Sequence, residues 1–273
     1  MQSTQKNIKN NDLLLEVNNL NVFFNTTDGL IKAVNNVNLS INKGECLGVV
    51  GESGSGKTQT FFSITGLLSN NGYCKGSAIF KGFDLISSSK KERMKYLGKS
   101  IGFIFQDPMT SLTPHMKIGD QLSEISIFHD NLTKKESLKR ALEVLDIVKL
   151  PKSRNLITSY PHELSGGMKQ RIMIAISLMC SPELIIADEP TTALDVTTQS
   201  EILNIFNDLK NQLGISIILI SHNIGVIAET SDNIIVMKDG SIVENGSTYN
   251  VLTNPQDKYT KLLLSCIPPW LDV

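Results

Sequence analysis

The stretch Gly51-Glu52-Ser53-Gly54-Ser55-Gly56-Lys57-Thr58 constrains this chain more than any other. It follows Cys46-Leu47-Gly48-Val49-Val50, an apolar run that reads as a buried strand, and precedes Phe61 to Leu68, which reads as a helix. The spacing is G-x-x-x-x-G-K-[ST], and strand, loop and helix stand in the order a phosphate-binding P-loop requires. A polyphosphate needs many N–H donors converging on a small volume. Glycines let the backbone wrap closely, because they tolerate positive φ and carry no Cβ. The helix N-terminus adds unpaired N–H groups and partial positive charge. In such a loop Lys57 reaches the β- and γ-phosphates and the Thr58 hydroxyl ligates Mg²⁺. Thr60, just inside the helix, is counted with the nucleotide-binding set.

With 273 residues, 41% apolar and 19% charged, the chain can bury a sizeable core in one or two domains. Its net charge of −1 gives no global basic field for nucleic acid. No apolar run approaches the roughly 18 residues of a membrane span. Residues 1–11 are polar and Asn/Gln-rich, without the apolar centre of a signal peptide, and are expected to be a disordered leader. Cys46, Cys74, Cys180 and Cys266 are far apart and make no C-x-x-C pair, so they are expected to be reduced thiols of a cytosolic protein rather than a metal site.

Leu13–Val17 and Leu20–Phe24 read as two strands joined by Asn18-Asn19, and Ile31–Val34 and Val37–Ile41 as two more. An antiparallel β layer therefore opens the chain, with Ser77–Phe80 added to it. Ser87–Lys95 reads as a solvated polar helix or loop. Ile101–Phe105 is a core strand ending at Gln106. Thr133 and Glu136 make a capping box for an amphipathic helix over Thr133–Lys149, stopped by Pro151. Residues 107–180 thus read as a helical insert between core strands. Leu184–Ala187 and Ser216–Ile220 are apolar, as parallel strands covered on both faces should be. A helix marked by Ile202, Phe206, Leu209 and Leu213 ends at Gly214. Ile234–Met237 and Ile242–Glu244 flank the hairpin signal Asp239-Gly240. A last helix runs from about Lys258 to Leu264, before Pro268-Pro269.

Asp188 and Glu189 follow a buried strand, and ligands of parallel sheets lie beyond the carboxyl ends of strands. Such a pair can simply cap a following helix. With a P-loop upstream, it reads instead as the acid pair of a Walker B strand: Asp188 holding Mg²⁺ through water, Glu189 polarising the water that attacks the γ-phosphate. Leu164-Ser165-Gly166-Gly167-Met168-Lys169-Gln170-Arg171 starts another helix, carrying Met168, Ile172, Ala175, Ile176 and Met179. Ser165 suits its N-cap, and a helix N-terminus bearing Ser and Gly is a second anion site.

This last stretch resembles the signature Leu-Ser-Gly-Gly-x-x-x-Arg of the ATP-binding cassette (ABC) family, and the resemblance covers about residues 12–267. It implies a single α/β domain: a P-loop NTPase (RecA-like) core with an N-terminal antiparallel β subdomain and an inserted α-helical subdomain, followed by a tail over 268–273. Gln106 matches the Q-loop, which contacts Mg²⁺ or the water. Ala193-Leu194-Asp195 matches the D-loop, which touches the opposite subunit. His222 matches the switch histidine at the γ-phosphate, and Phe24 falls where the family stacks an aromatic on adenine, although Phe23 adjoins it. His115, His129 and His162 match no catalytic position. Phe105 to Pro114, Gly119-Asp120-Gln121-Leu122, Tyr160 to Arg171, Pro190 to Thr197, Asp28-Gly29 and Tyr259 to Leu263 resemble the oligopeptide, dipeptide and nickel importer group, closest to the first of its two ATPase subunits. Asn223 stands where relatives usually have Asp, and Thr113 where Asn is common. The chain ends soon after Pro268-Pro269, without the cysteine-containing tail on which an iron–sulfur cluster could be argued.

The resemblance implies two cassettes facing head to tail, with ATP held between the P-loop of one and Ser165, Gly166 and Gly167 of the other. It further implies a peripheral place on the cytoplasmic face of the cell membrane, a related second ATPase, two transmembrane permease subunits and an extracytoplasmic binding protein, with Asp107–Ile125 as the permease-docking segment. Peptides lead as cargo, with nickel or metal chelates second. Two rival readings are a soluble repair or ribosomal ATPase, which lacks support in a one-cassette chain without coiled-coil insertions, and a hydrolysis-poor ATP-binding subunit.

Overall fold

The computed structural model describes residues 12–107, 111–150, 153–192 and 194–265. The expected leader, the tail with Cys266 and Pro268-Pro269, the stop at Pro151 and Ala193 of the D-loop lie outside them, as do residues 108–110 of the expected docking segment. Two sheets organise the described chain. The first has the order β2-β1-β4-β5, all antiparallel, from β1 (Leu13–Thr26), β2 (Gly29–Asn42), β4 (Gly72–Phe80) and β5 (Phe83–Asp84). The second has the order β10-β9-β3-β8-β7-β6, from β3 (Cys46–Val50), β6 (Ile101–Ile104), β7 (Leu184–Asp188), β8 (Ser216–Ser221), β9 (Asn233–Lys238) and β10 (Ser241–Ser247). All its neighbours are parallel except β10, which returns from β9 through Asp239-Gly240.

The opening strands correct the sequence reading. Residues 13–24 form one strand with register shifts, not two strands with a joint, and 29–42 likewise form one strand. Asn19 and Asn36 take left-handed backbone (φ 51° and 50°), which bulges a strand without reversing it.

The alternation of the central strands divides the interior in two. Leu47 and Val49 of β3, Ile186 of β7, and Ile218 and Ile220 of β8 face the first sheet. There they pack with Leu15, Val22 and Ile41 and with Phe61 and Ile64 of helix α1 (Lys57–Thr65). Val50, Ile185, Ala187, Ile217 and Leu219 face the other way, onto the remaining helices. A five-strand parallel sheet must be covered on both faces, and these residues are apolar throughout for that reason.

Ser87–Lys95 contains only the short capped helix α2 (Lys90–Arg93). Between β6 and β7 the chain makes α3 (Ile118–Asp130), α4 (Lys134–Ile147), a helical turn at Ser153–Leu156 and α5 (Gly166–Leu178). The capping box of α4 is made: Thr133 Oγ1 accepts from Glu136 N–H, and the Glu136 carboxylate accepts from Thr133 N–H at 2.8 Å. Gln121 of α3 is buried and braces the preceding loop through the backbone of Thr113 and Met116, so the side chain at position 113 takes no part in that brace. Helices α6 (Val196–Leu213), α7 (Ile224–Thr230), α8 (Thr248–Thr253) and α9 (Lys258–Ser265) complete the chain. Among the described residues, no helix is long and apolar enough to cross a membrane.

Candidate active site

Parallel register brings the chemistry together. Val50 pairs with Ser221, Ile220 with Asp188 and Ala187 with Ile104, so β3, β8, β7 and β6 end side by side. Each leads directly into a candidate: residues 51–58 after β3, His222 after β8, Glu189 after β7 and Gln106 after β6.

The loop after β3 wraps the N-terminus of α1. Gly51 (φ 156°) has no room for a side chain, since a Cβ there would lie 2.2 Å from the Met237 carbonyl oxygen. Gly54 and Gly56 also take positive φ, and Gly54 faces open space. Glu52, Ser53 and Gly54 are exposed, whereas Ser55, Gly56 and Lys57 are buried. The Lys57 ammonium is folded into the loop and donates to the carbonyls of Gly51 (2.7 Å) and Glu52 (2.9 Å). Burial pulls its pKa below the usual lysine value, with Glu189 and Asp188 opposing. Ser55 Oγ is buried without a hydrogen-bond partner. Thr60 bonds back to the Gly56 carbonyl (2.9 Å) and is buried within α1, so its hydroxyl serves the helix.

The acids come next. Asp188 is 2% exposed and accepts from Thr58 Oγ1 at 3.1 Å. Burial pushes its pKa up from 3.8 to about 6; the Thr58 hydroxyl and Lys57 act against that and Glu189 reinforces it. Glu189 holds a left-handed backbone (φ 46°), tied by its N–H to the Ile220 carbonyl at 2.9 Å. For a non-glycine residue this conformation is costly, and it turns the carboxylate out of the strand line. Its Oε2 accepts from Gln106 Nε2 (3.1 Å) and Thr192 Oγ1 (2.9 Å), and His222 Nδ1 lies 3.0 Å from the same oxygen. The structure thus gathers Gln106, Glu189 and His222 on one carboxylate oxygen. Thr192 is the member that motif reading assigned no role; its place three residues after Glu189 was the available signal. Asn223 caps α7 by accepting from Gly225 N–H at 2.9 Å, a task Asp would do equally well.

The signature residues are elsewhere. Ser165 is the N-cap of α5, accepting from Met168 N–H, and Gly167 lies so close to Thr198 that a Cβ would be 2.6 Å from its methyl. Ser165, Gly166, Gly167, Asp195 and Arg171 line an open groove of about 610 Å³, whose lining includes no residue of 51–60. Asp195 caps α6, accepting from the Thr198 N–H (3.0 Å) and hydroxyl (2.7 Å). These bonds hold its carboxyl below the usual range. Phe24 is half-buried and packs toward the core of the first sheet, while Phe23 points the other way and stacks on Tyr73 (5.1 Å). His115, His129 and His162 join neither group of residues; His129 packs against Phe128 and His162 stacks on Tyr160. The described cysteines are free thiols, and no three His, Cys, Asp or Glu side chains among the described residues are placed to hold a metal by themselves.

The ABC transporter family model matches residues 34–192. The oligopeptide transport ATP-binding protein OppD of Salmonella typhimurium is 46% identical over 257 residues, 94% of this chain and 77% of that protein. The dipeptide transport ATP-binding protein DppD of Bacillus subtilis is 44% identical over 257 residues, 93% of this chain and 77% of its own. A solved dimeric ATP-binding cassette in a post-hydrolysis state, bound to ADP and Pi, superposes with a TM-score of 0.77 at 29% identity, covering 86% of this chain and 99% of that one. Identity at this level over almost the whole sequence leaves one conclusion: the chain belongs to the ABC transporter family.

Proposed function

We propose that this chain is the ATP-hydrolysing subunit of a membrane importer for oligopeptides or dipeptides. The observation that carries the catalytic part is the single carboxylate oxygen of Glu189 on which Gln106, Thr192 and His222 converge. The names of the relatives support the peptide cargo.

ATP is the substrate, and the loop fits its polyphosphate. Ser55 Oγ has no partner, Gly54 leaves open space, and Lys57 bonds only to neutral carbonyls that a phosphate oxygen would outcompete. Residues 51–58 bind the phosphates, and Phe24 stacks on adenine. Thr58 Oγ and the Asp188 carboxylate, 3.1 Å apart, are hard oxygen donors that suit Mg²⁺, with Gln106 a further oxygen donor. When bound, Mg²⁺ supplies charge neutralisation on the β- and γ-phosphates. Glu189 polarises water for attack at the γ-phosphorus; the bond to the ADP oxygen breaks, and ADP and phosphate result. His222 steadies the same carboxylate and reaches the γ-phosphate. Catalysis is positioning plus charge stabilisation.

Ser165, Gly166, Gly167 and Asp195 line their own groove, apart from the phosphate loop. They serve the ATP of a second cassette, and that cassette's signature completes this one's site. The second cassette is a related ATPase of the same transporter. Two permease subunits anchor the pair at the cytoplasmic face of the membrane, and an external binding protein selects the cargo. The segment Asp107–Ile125, just beyond Gln106, meets the permease; Ile127 and Phe128, which follow it in α3, are exposed apolar side chains.

Purification of the tagged chain from detergent-solubilised membranes tests this reading. Recovery with two polytopic membrane proteins and a second ATPase supports it. Two copies of this chain with the permeases would overturn only the heteromeric pair. Recovery without any membrane protein would overturn the importer.

A further inference from the structure

Tyr259 belongs to α9, far along the chain from the phosphate loop, yet its phenol is 6% exposed and its hydroxyl accepts from the Glu52 backbone N–H at 2.9 Å. The Lys238 ammonium stands 5.0 Å over its ring. Burial raises the phenol above its ordinary 10.0, so at neutral pH the hydroxyl is an uncharged acceptor. The start of α9 is itself fixed. The Glu244 carboxylate of β10 accepts from the N–H groups of Gln256 (2.7 Å) and Asp257 (3.0 Å), and Asp257 accepts from Tyr259 N–H (2.7 Å).

The N–H that Tyr259 holds belongs to the Gly51–Glu52 peptide. The carbonyl of that same peptide accepts from the Lys57 ammonium at 2.7 Å. A trans peptide is planar with its C=O and N–H opposed, so fixing one direction fixes the other. Gly51, at φ 156° and without a Cβ, gives this peptide more rotational freedom than other residues would. Its orientation is therefore set from outside: Lys57 on the inner side, Tyr259 on the outer. The loop's other outer brace, Gly240 N–H to the Ser55 carbonyl (3.0 Å), is made by backbone and does not reach this peptide.

We propose that Tyr259 is a positioning residue of the nucleotide site, orienting the Gly51–Glu52 peptide and, through its carbonyl, placing the Lys57 ammonium for the polyphosphate of ATP. This rests on the ATP-binding reading above. Tyr259 itself does not touch nucleotide; it acts through the loop from a helix outside the P-loop core.

Tyr259→Phe removes one oxygen and keeps the ring. Calorimetry with ATP and Mg²⁺ on the full chain reads Kd and, separately, the number of competent sites; hydrogen exchange reads the Glu52 amide. The expected result is a Kd raised about five- to tenfold, the worth of one such bond, with the site number kept and the Glu52 amide exchanging faster. A Kd within twofold of wild type overturns the proposal, whether or not exchange changes. A reduced number of sites with unchanged Kd also overturns it, because that marks support of the fold alone. A wild-type chain that binds no ATP would overturn the functional reading as well, and is told apart by that control.

Discussion

Asp188→Asn should stabilise the resting protein at neutral and alkaline pH while stopping its turnover. Asp188 is 2% exposed, and burial lifts its pKa from 3.8 to about 6. At about 1.4 kcal/mol per pH unit, the buried charge costs the folded chain about 3 kcal/mol above pH 6. The sign follows from proton uptake. Between pH 6 and pH 4 the folded state binds the proton more tightly than the unfolded state, so acidification relieves the cost and wild type gains stability there from this group. Asn keeps the bond from Thr58 Oγ1 but carries no charge, so its stability lacks this component. Its NH₂ group needs a partner, which costs about 1–2 kcal/mol and leaves a net gain of about 1–2 kcal/mol at pH 8. For a chain of this size that raises Tm by about 2–3 °C. Between pH 8 and pH 5 the gap should shrink by about 1.4 kcal/mol, again about 2 °C. Thermal melts of both proteins without nucleotide, at pH 5, 6, 7 and 8, measure it; other titrating groups cancel in the difference. Parallel curves, or a gap that widens on acidification, would refute the assignment of a buried, charge-strained Asp188.

Three further outcomes follow from the same geometry. In its proposed phosphate-binding role, Lys57→Ala should weaken ATP binding at least about a hundredfold by calorimetry, because charge-assisted bonds to phosphate are lost and each contributes about 1.5–3 kcal/mol. Gly51→Ala places a Cβ 2.2 Å from the Met237 carbonyl, a backbone atom that cannot swing aside. It should cost about 3 kcal/mol and lower Tm by about 5 °C; an unchanged melt would contradict the packing described. In the proposed role of Asp188 as an Mg²⁺ ligand, which needs the ionised carboxylate, Mg²⁺ affinity measured in the presence of a non-hydrolysable ATP analogue should fall roughly tenfold per pH unit below pH 6.

The strand-end residues were legible because each follows an apolar run at a fixed offset: Lys57 after β3, Asp188 at the end of β7 with Glu189 next, and His222 after β8. Their meeting was expected from the motifs and from ligands lying beyond the carboxyl ends of parallel strands; the register that achieves it, pairing Val50 with Ser221 and Ile220 with Asp188, was not legible. The capping box at Thr133 and Glu136 is purely local, and it formed as read. Asn18-Asn19 misled for the opposite reason. Asn tolerates left-handed backbone, which marks either a turn or a bulge, and the choice was made by pairing with the next strand, β2, and with the more distant β4. The contact from Tyr259 to Glu52 spans 207 residues and ends on a backbone N–H, so no residue type at position 52 could announce it.

The central claim is that Glu189 activates the water that hydrolyses ATP. Its most direct test is Glu189→Gln, with ATP affinity and turnover measured together in the purified transporter. The expected result is an ATP Kd within about threefold of wild type and turnover reduced at least about a hundredfold, the usual contribution of a positioned general base. Turnover like that of wild type would contradict it.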